Sequence, residues 1–371
     1  MSNLALYRKY RPQTFKEIIG QEHVVKTITN AISHQLLSHA YIFSGPRGSG
    51  KTTIARLLAK AINCHNRKEG EYEPCNKCSS CIEIMQGTSL DLIEIDAASH
   101  RGIDEIRELR EGIKFSPTKE KYKIFIIDEA HQLTKEAANA LLKTLEEPPP
   151  YAVFVMATTE IQKMLPTIIS RCQRFDFRKL TIDEILKQLK YICEKEHKTV
   201  EMPALELIAL HSRGSIRDAE SLLDQVFSFV GEKKEGEIIT LKEVEGLLRI
   251  ADINLISEFV DILCQKDTGK AIKFLNQAIE RGVDPQEFGN ALINYLRHGL
   301  LLKINPKTMN PLIIGLTKEE QQKIIKQVES FTLEELEKGL NYFLDAVNRM
   351  RFSPIPQLPL ELAIVDFIGL N

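Results

Sequence analysis

The sequence predicts an α/β domain with a five-stranded parallel sheet, followed by two domains made only of helices. Five short segments rich in β-branched and apolar residues occur within the first 180 residues, and helical patterns lie between them. The middle segments are near-continuous apolar runs, as expected of strands buried on both faces of a parallel sheet. No further β-rich run occurs after residue 180. Alternating strands and helices, and then helices alone, indicate a doubly wound domain with helical domains attached.

The order of the predicted elements divides the chain into domains. The predicted strands are residues 39–45, 90–98, 123–130, 152–159 and 173–177. The predicted helices of the α/β domain are residues 22–35, 51–63, 103–113, 134–146 and 161–170. Those of the helical part are residues 181–195, 203–212, 216–230, 253–266, 268–281, 286–303, 317–330 and 332–350. We therefore expect an α/β domain at 1–179, a small helical domain at 180–243 and a larger helical bundle at 244–371.

Composition and charge exclude several classes of protein. The 371 residues are 43% hydrophobic and 27% charged, the balance of a globular chain that can bury a sizeable core. A formal net charge of -2 creates no global basic field, so any DNA contact must come from a local patch or a partner subunit. No apolar run approaches the ~18 residues that span a bilayer, and the N-terminus lacks the apolar centre of a signal peptide. We expect a cytoplasmic protein without a membrane partner.

A phosphate-binding loop is the first motif that carries chemistry. Residues 45–52 read GPRGSGKT and fit G-x-x-x-x-G-K-[ST] between a predicted strand and a predicted helix. The glycines let backbone N–H groups turn toward phosphate, and the helix N-terminus adds partial positive charge. Lys51 is expected to neutralise the β- and γ-phosphates of ATP, and the Thr52 hydroxyl to bind Mg²⁺. The predicted nucleotide-binding residues of this loop are Gly45, Pro46, Arg47, Gly48, Ser49, Gly50, Lys51, Thr52 and Thr53.

Two acidic residues end the third predicted strand. The sequence KIFIIDEAHQL places Asp128 and Glu129 directly after four apolar residues. Asp128 is expected to hold the Mg²⁺ shell, and Glu129 to polarise the attacking water as a general base. The alternative is a pair of carboxylates that only solvates the end of the strand. A chain that had lost hydrolysis would be free to lose Lys51 or Glu129, so their presence favours an active ATPase.

Four of the seven cysteines lie close together in the sequence. They are Cys64, Cys75, Cys78 and Cys81. Four thiolates at this spacing suit one tetrahedral Zn²⁺, and a metal would stabilise a segment that has little apolar material of its own. A redox pair and an iron–sulfur cluster are the alternatives, and His65 is a competing ligand. We expect a structural zinc module at about 64–81, whose loss would leave the phosphate loop largely intact.

Several longer motifs occur together in the first 230 residues. They are YRKYRPQTFKEIIGQEHVV, GPRGSGKT, the four-cysteine segment, LIEIDAASHRGIDEIR, IIDEAHQLTKEAANALLKTLEEPP, ATTEIQKMLPTIISRC and GSIRDAESLLDQ. In this combination the chain resembles the gamma/tau family of bacterial DNA polymerase III clamp-loader subunits. The resemblance is strong over about 1–230 and rests on helical pattern alone beyond that. It implies an AAA+ ATPase domain with an inserted zinc module, a helical lid domain and a helical collar domain that oligomerises.

The resemblance implies roles for individual polar residues. Arg171 lies in a sequence similar to the family's SRC motif, so it would be an arginine finger that reaches the γ-phosphate bound to the neighbouring subunit. Thr159 would be sensor 1, a polar group near the attacking water, with Thr158 as the other candidate. Arg217 would be sensor 2, the lid arginine that contacts the phosphates. The N-terminal residues that resemble the segment beside the nucleotide base are Tyr7, Arg11 and Pro12.

The resemblance also implies partners and a task. The partners would be the delta and delta-prime subunits and further gamma/tau copies in a hetero-pentameric ring, the beta sliding clamp, and primer-template DNA. ATP binding would open the clamp and grip the DNA, and hydrolysis would release the closed clamp within a DNA-directed DNA polymerase complex. The family has a long form whose extra C-terminal domains bind polymerase and helicase, and the chain would correspond to the short portion.

Two other functions compete with this interpretation. A helicase or branch-migration ATPase would need pore-loop aromatic residues and a basic DNA-binding domain, and the C-terminal third of the sequence offers neither. A clamp-loader scaffold without hydrolysis would have no need of a complete phosphate loop, an acidic pair and an SRC arginine. Fold analogy alone does not decide between these functions.

Overall fold

Five parallel strands form the sheet at the centre of the α/β domain. They are β1 (Ala40–Ser44), β2 (Leu92–Asp96), β3 (Lys123–Asp128), β4 (Ala152–Thr158) and β5 (Gln173–Asp176). Their order across the sheet is β2-β3-β4-β1-β5, and every neighbouring pair is parallel. The predicted five-stranded parallel sheet is therefore confirmed. The order places the carboxyl ends of β3, β4 and β1 side by side, where ligands of open α/β sheets bind.

This computed structural model describes residues 4–99, 111–231, 237–248, 253–305 and 318–369. Most of the predicted helix 103–113 lies outside these ranges. The chain divides into two compact units, Met1–Leu241 and Lys242–Asn371. The first unit thus holds the α/β domain together with the small helical domain that follows it.

The helices of the α/β domain are α1 (Leu6–Lys9), α2 (Glu22–Ser33), α3 (Lys51–Ile62), α4 (Ser79–Gln86), α5 (Lys135–Glu146) and α6 (Pro166–Ile169). Residues of α2, α3 and α4 pack on one face of the sheet, and residues of α5 and α6 pack on the other. Alternate residues of β1 point to opposite faces. Tyr41 and Phe43 pack with Ile28 of α2 and Leu58 of α3 in one apolar cluster. Ile42 packs in a second cluster with residues of α5 on the other face.

Over residues 180–231 the structure describes three helices. They are α7 (Ile182–Lys195), α8 (Met202–His211) and α9 (Ile216–Val230). Thr181 and Glu184 form a capping box at the start of α7. Ser215 caps α9 by accepting a hydrogen bond from the Asp218 N–H. This cap fixes Arg217 in the first turn of α9.

The second unit is helical in the residues that the structure describes. Its helices are α10 (Leu241–Leu248, which begins at the last residue of the first unit), α11 (Ile253–Cys264), α12 (Thr268–Glu280), α13 (Pro285–Ile304), α14 (Lys318–Glu329), α15 (Leu333–Met350) and α16 (Leu358–Ile368). Phe259, Phe288 and Phe343 are completely buried in its apolar core. Over the described ranges, no helix combines the length and the apolar character needed to cross a membrane.

Two local predictions differ from the structure. The predicted helix 161–170 is a 3₁₀ turn, Ile161–Lys163, followed by the short helix α6. Leu165 is extended, with φ -64° and ψ 129°, because the residue before a proline is disfavoured in a helix. The second difference is a two-residue parallel pair, Thr199–Val200 with Ile238–Ile239, after the point where no strand was expected. Two residues are too few to show the alternation of apolar and polar side chains by which a strand is predicted from sequence.

Candidate nucleotide-binding site and cysteine cluster

The phosphate loop connects β1 to α3, and its glycines at positions 45, 48 and 50 all have positive φ. Gly50 has φ 97° and is the N-cap of α3, so Lys51 is the first residue of the helix. Gly48 has φ 72°, and a Cβ there would collide with the Ser215 hydroxyl. A side chain at either position would strain the backbone. The loop therefore needs glycine both for its own turn and for its close approach to the start of α9.

Lys51 is held inside its own loop. Its Nζ donates to the carbonyl oxygens of Gly45, at 2.7 Å, and Pro46, at 2.8 Å. Burial lowers the pKa of Lys51, and the negative charges of Glu129 and Asp128 oppose that shift. An ammonium group carries three donors, so two carbonyl bonds leave one for a phosphate oxygen.

Thr52 and Asp128 form an oxygen pair beside the loop. The Thr52 Oγ1 donates to Asp128 Oδ2 at 3.0 Å, and Asp128 is the last residue of β3. A hydroxyl and a carboxylate are ligands that Mg²⁺ accepts together with phosphates and waters. The donor set therefore fits the predicted role of both residues in a magnesium shell.

Glu129 follows β3 in a left-handed conformation that residues with a Cβ seldom adopt, with φ 47°. The Thr159 hydroxyl donates to Glu129 Oε2 at 2.9 Å. The neighbouring Thr158 is fully buried, and its hydroxyl lies 3.0 Å from His131 Nδ1. Of the two threonines named from the sequence, Thr159 is thus the one that contacts the acidic pair. His131, which the sequence analysis did not single out, supports the carboxylate, with Nδ1 3.5 Å from Glu129 Oε2.

Lys51, Thr52, Asp128 and Glu129 line a cavity of about 400 Å³, and Thr159 is not among the residues of its wall. The structure brings most of the predicted nucleotide-binding residues to its wall. They are Tyr7, Arg11, Pro12, Arg47, Gly48, Ser49, Gly50, Lys51, Thr52, Thr53, Asp128, Glu129 and Arg217. A volume of this size is typical of a small-molecule or cofactor site.

The N-terminal residues and the start of α9 meet at this cavity. The Arg217 guanidinium lies over the Tyr7 ring, 4.9 Å from its centroid. Two hydrogen bonds also connect the N-terminal segment to the helices of the small helical domain. The Leu6 N–H donates to Asp224 of α9, and the Tyr10 hydroxyl donates to Glu196 at 2.5 Å. Tyr7 and Arg217, which the resemblance names in two separate motifs, therefore form one contact.

Two polar residues of the helical part line the cavity without having been predicted. They are Gln188 of α7 and Glu220 of α9, and Gln188 Nε2 donates to Glu220 Oε1 at 3.1 Å. Glu220 is 6% exposed. Burial raises its pKa to about 7, against the opposing effects of the Gln188 hydrogen bond and the Arg11 charge. Nothing local to either residue distinguishes it from other polar positions of an amphipathic helix, so the sequence carried no signal for them.

Arg171 is not part of the cavity wall. Its guanidinium binds Glu146 at 2.5 Å and the carbonyl of Thr167 at 2.8 Å, and its side chain is 33% exposed. The structure therefore does not bring Arg171 together with the phosphate loop of the same chain.

The four cysteines come together as the spacing predicted. The sulfur atoms of Cys64, Cys75, Cys78 and Cys81 all lie within 4.8 Å of one another. The Cys75 sulfur accepts backbone N–H bonds from Lys77, at 3.4 Å, and Cys78, at 3.3 Å. Burial opposes ionisation of Cys75, but these and neighbouring thiol hydrogen bonds outweigh it and lower the pKa to about 6. Burial instead raises the pKa of the Cys64 and Cys81 thiols, so a bound cation would have to hold them as thiolates. Four sulfur ligands this close together fit a tetrahedral metal ion.

His65 lies beside the cysteines but has another partner. Its Nε2 is 3.0 Å from a carboxylate oxygen of Glu120. The group of residues that could hold a metal together consists of the four cysteines without His65.

Sequence profiles of known families match three consecutive parts of the chain. Residues 20–181 match the profile described as DNA polymerase III, delta subunit. Residues 184–232 match the ATPase lid domain of the DNA polymerase III clamp-loader subunit, and residues 239–370 match domain III of DNA polymerase III subunits gamma and tau.

Curated relatives match the chain over its whole length. A DNA polymerase III subunit gamma from Buchnera aphidicola (subspecies Schizaphis graminum) is 37% identical over 368 residues, which is 99% of each chain. The chain belongs to the gamma/tau family of DNA polymerase III subunits. Within this family, the tau subunit of Bacillus subtilis is 42% identical over 98% of the chain, and that of Escherichia coli is 40% identical over 85%.

The chain spans only part of several family members. It covers 63% of the Bacillus subtilis subunit and 47% of the Escherichia coli subunit. Among solved structures, a RuvB Holliday junction branch migration motor from Thermotoga maritima matches 68% of this chain and 78% of its own, with 20% identity and a TM-score of 0.48. A likeness of that extent has no bearing on the function of this chain.

Proposed function

We propose that this chain is the ATP-hydrolysing subunit of a bacterial sliding-clamp loader, working as part of a DNA polymerase III complex. The observation that carries the proposal is the arrangement of Lys51, the Thr52–Asp128 pair and Glu129 around one cavity, with the Glu129 carboxylate held by the Thr159 hydroxyl. Family membership supports the replicative role, and the cavity supports nucleotide as the ligand.

Different residues of the cavity bind the phosphates, hold Mg²⁺ and activate the attacking water. The loop N–H groups and Lys51 bind and orient the β- and γ-phosphates, since they lie at the N-terminus of α3. Thr52 and Asp128 hold Mg²⁺, which neutralises phosphate charge when bound. Glu129 acts as general base toward the attacking water, and Thr159 fixes its carboxylate by the 2.9 Å hydrogen bond.

The cavity connects nucleotide binding to the helical part of the first unit. Arg217 in the first turn of α9 contacts the phosphates, and Tyr7, Arg11 and Pro12 pack beside the base. The same helix holds the N-terminal segment, because Asp224 of α9 accepts a hydrogen bond from the Leu6 N–H. A nucleotide in the cavity would therefore contact α9 and the N-terminal segment together.

The partners proposed for this cycle are those of a clamp loader. The chain would assemble with delta and delta-prime subunits and further gamma/tau copies, open the beta sliding clamp and grip primer-template DNA. Arg171 of one subunit would complete the site of its neighbour. Its position outside the cavity of its own chain supports this assignment. Zn²⁺ at the four cysteines is structural, since four sulfurs leave a tetrahedral ion no free position.

The function is tested by ATP hydrolysis in a reconstituted system. Turnover should be slow for the isolated chain and should rise when partner subunits, clamp and primed DNA are all present. Omitting the clamp or replacing primed DNA with blunt duplex should remove most of the rise. A rate that responds to a four-way DNA junction but not to the clamp would contradict the proposal.

A further inference from the structure

The N-terminal wall of the cavity is a stretch with little regular structure. Its cavity-lining residues are Arg11, Pro12, Glu17, Ile18 and Ile19. The 3₁₀ turn Phe15–Glu17 is the element that the structure describes between residues 11 and 19. The first N–H groups of such a turn have no partners within it. Contacts from elsewhere in the chain must therefore fix the position of this wall.

Several of those contacts come from the cysteine module, residues 64–81, and others come from α3 and the apolar core. Both carboxylate oxygens of Glu73 accept backbone hydrogen bonds, from the Phe15 N–H at 2.9 Å and the Lys16 N–H at 3.1 Å. Asn76 donates from Nδ2 to the Gln13 carbonyl at 3.1 Å. A carboxylate that binds two N–H groups caps the turn with charge-assisted hydrogen bonds, the stronger kind.

Apolar and lysine contacts complete the attachment. The Tyr72 ring meets the buried Phe15 ring edge-on, with centroids 6.5 Å apart. Lys60 of α3 donates from Nζ to Gln13 Oε1 at 2.8 Å. Since α3 begins at Lys51, the wall is fixed to the same helix that presents the phosphate loop.

The four-cysteine cluster sets the positions of Glu73 and Asn76. Glu73 and Asn76 flank Cys75, whose backbone N–H donates to the Cys64 sulfur at 3.3 Å. Most of residues 65–71 are exposed, so the loop has little core of its own to hold it in place. Closing the four-sulfur cluster therefore also sets the position of Glu73 and Asn76 against the wall.

We propose that the cysteine module positions the N-terminal wall of the nucleotide cavity, with Glu73 as the positioning residue. This inference rests on the proposed binding of nucleotide. Without Glu73 the wall is less ordered in the free chain. Ordering it when nucleotide binds then costs part of the binding free energy, so the Kd for nucleotide rises. The phosphate loop, Glu129 and Thr159 stay in place, so the chemical step is preserved.

The experiment uses the full chain with its metal and Mg²⁺, titrated with a fluorescent N-methylanthraniloyl derivative of ATP. Glu73→Gln should raise Kd about tenfold, the effect of losing about 1.4 kcal/mol. Glu71→Gln, an exposed change in the same loop, should leave Kd unchanged. In the reconstituted complex, Glu73→Gln should raise KM for ATP and keep kcat within about twofold. Hydrogen exchange should speed up in peptides covering 11–19 and stay the same at 45–53.

Two results would overturn the inference. One is a Glu73→Gln chain with the wild-type Kd and wild-type exchange at 11–19, and the other is a lower kcat with an unchanged KM. If Glu73→Gln no longer binds the metal, Asn76→Gly is measured instead, with the same expected and contradicting results. Glycine keeps the left-handed backbone of Asn76, φ 57°, and removes only the donor to Gln13. A wild-type chain that binds no nucleotide would overturn the proposed function as well.

Discussion

Glu129 combines an unusual backbone with a fixed side chain. Its φ of 47° is left-handed, and its carboxylate accepts a hydrogen bond from the Thr159 hydroxyl and lies beside the His131 ring. Residues held in sparsely populated conformations cluster at functional sites, because surrounding contacts maintain the strain. The arrangement supports a carboxylate held ready to accept a proton.

Replacing Glu129 with Gln tests this role. The amide keeps the size of the side chain and cannot act as a base, so nucleotide binding should persist while turnover in the assembled complex falls about 10²–10⁴-fold. Phosphate release measures the turnover, and Glu136→Gln, an exposed change on α5, serves as the control. Turnover at the wild-type rate in Glu129→Gln would refute the assignment.

Glu220 makes stability depend on pH. Its pKa is about 7 in the folded chain against an ordinary value of 4.5. Between these values the folded chain holds a proton that the unfolded chain has released, so stability falls as pH rises from about 4.5 to 7 and then stays level. The full contribution is on the order of 3 kcal/mol.

Urea unfolding at pH 5 and pH 8 measures this effect. Glu220→Gln cannot ionise, so it should lose less stability than the wild type over this interval, by an amount on the order of 3 kcal/mol. Glu206→Gln, an exposed change on the adjacent helix α8, should follow the wild type. An equal pH dependence in Glu220→Gln and wild type would mean that Glu220 is not the group responsible.

At the scale of elements, the cysteine module has a wider effect than its sequence suggests. From sequence, metal loss was expected to leave the phosphate loop largely intact. The hydrogen bonds of Glu73 and Asn76 to the N-terminal wall add a second consequence, a loosened cavity. The module therefore bears on nucleotide affinity as well as on its own folding.

Chelation tests both consequences. We expect one Zn²⁺ per chain to be released, with faster hydrogen exchange at 64–81 and 11–19 and a Kd for nucleotide raised about tenfold or more. Restoring Zn²⁺ should reverse the change, and Glu73→Gln should respond less to chelation than the wild type. Iron, or no metal at all, in freshly purified reduced protein would rule out a zinc module.

Local patterns predicted the elements better than they predicted the completed site. The strands and the phosphate loop were recognisable because apolar runs and the glycine spacing lie within a few consecutive residues. Gln188 and Glu220 reach the cavity only because α7 and α9 pack beside it, which no short segment encodes. The segment 161–170 was predicted as one helix because its apolar periodicity continues across the break that Pro166 imposes.

In the molecule as a whole, the proposed arginine finger lies outside the cavity of its own chain. The cavity of the first unit contains a cation for the phosphates, an oxygen pair for Mg²⁺ and a candidate base. Arg171 instead binds Glu146 on the flank of the α/β domain. If Arg171 is a finger, it must leave that partner for a nucleotide on a neighbouring subunit, and hydrolysis becomes a property of the assembly.

Mixing two inactive variants tests this central claim most directly. Lys51→Ala should abolish nucleotide binding, and Arg171→Ala should bind normally but lose the ~10³–10⁵-fold acceleration that arginine fingers provide in other systems. In reconstituted complexes that contain both variants, some interfaces combine an intact Lys51 with an intact Arg171 from the neighbour. These mixed complexes should hydrolyse ATP faster than complexes of either variant alone. If the mixed complexes assemble and show no gain, Arg171 does not act between subunits and the proposed mechanism is wrong.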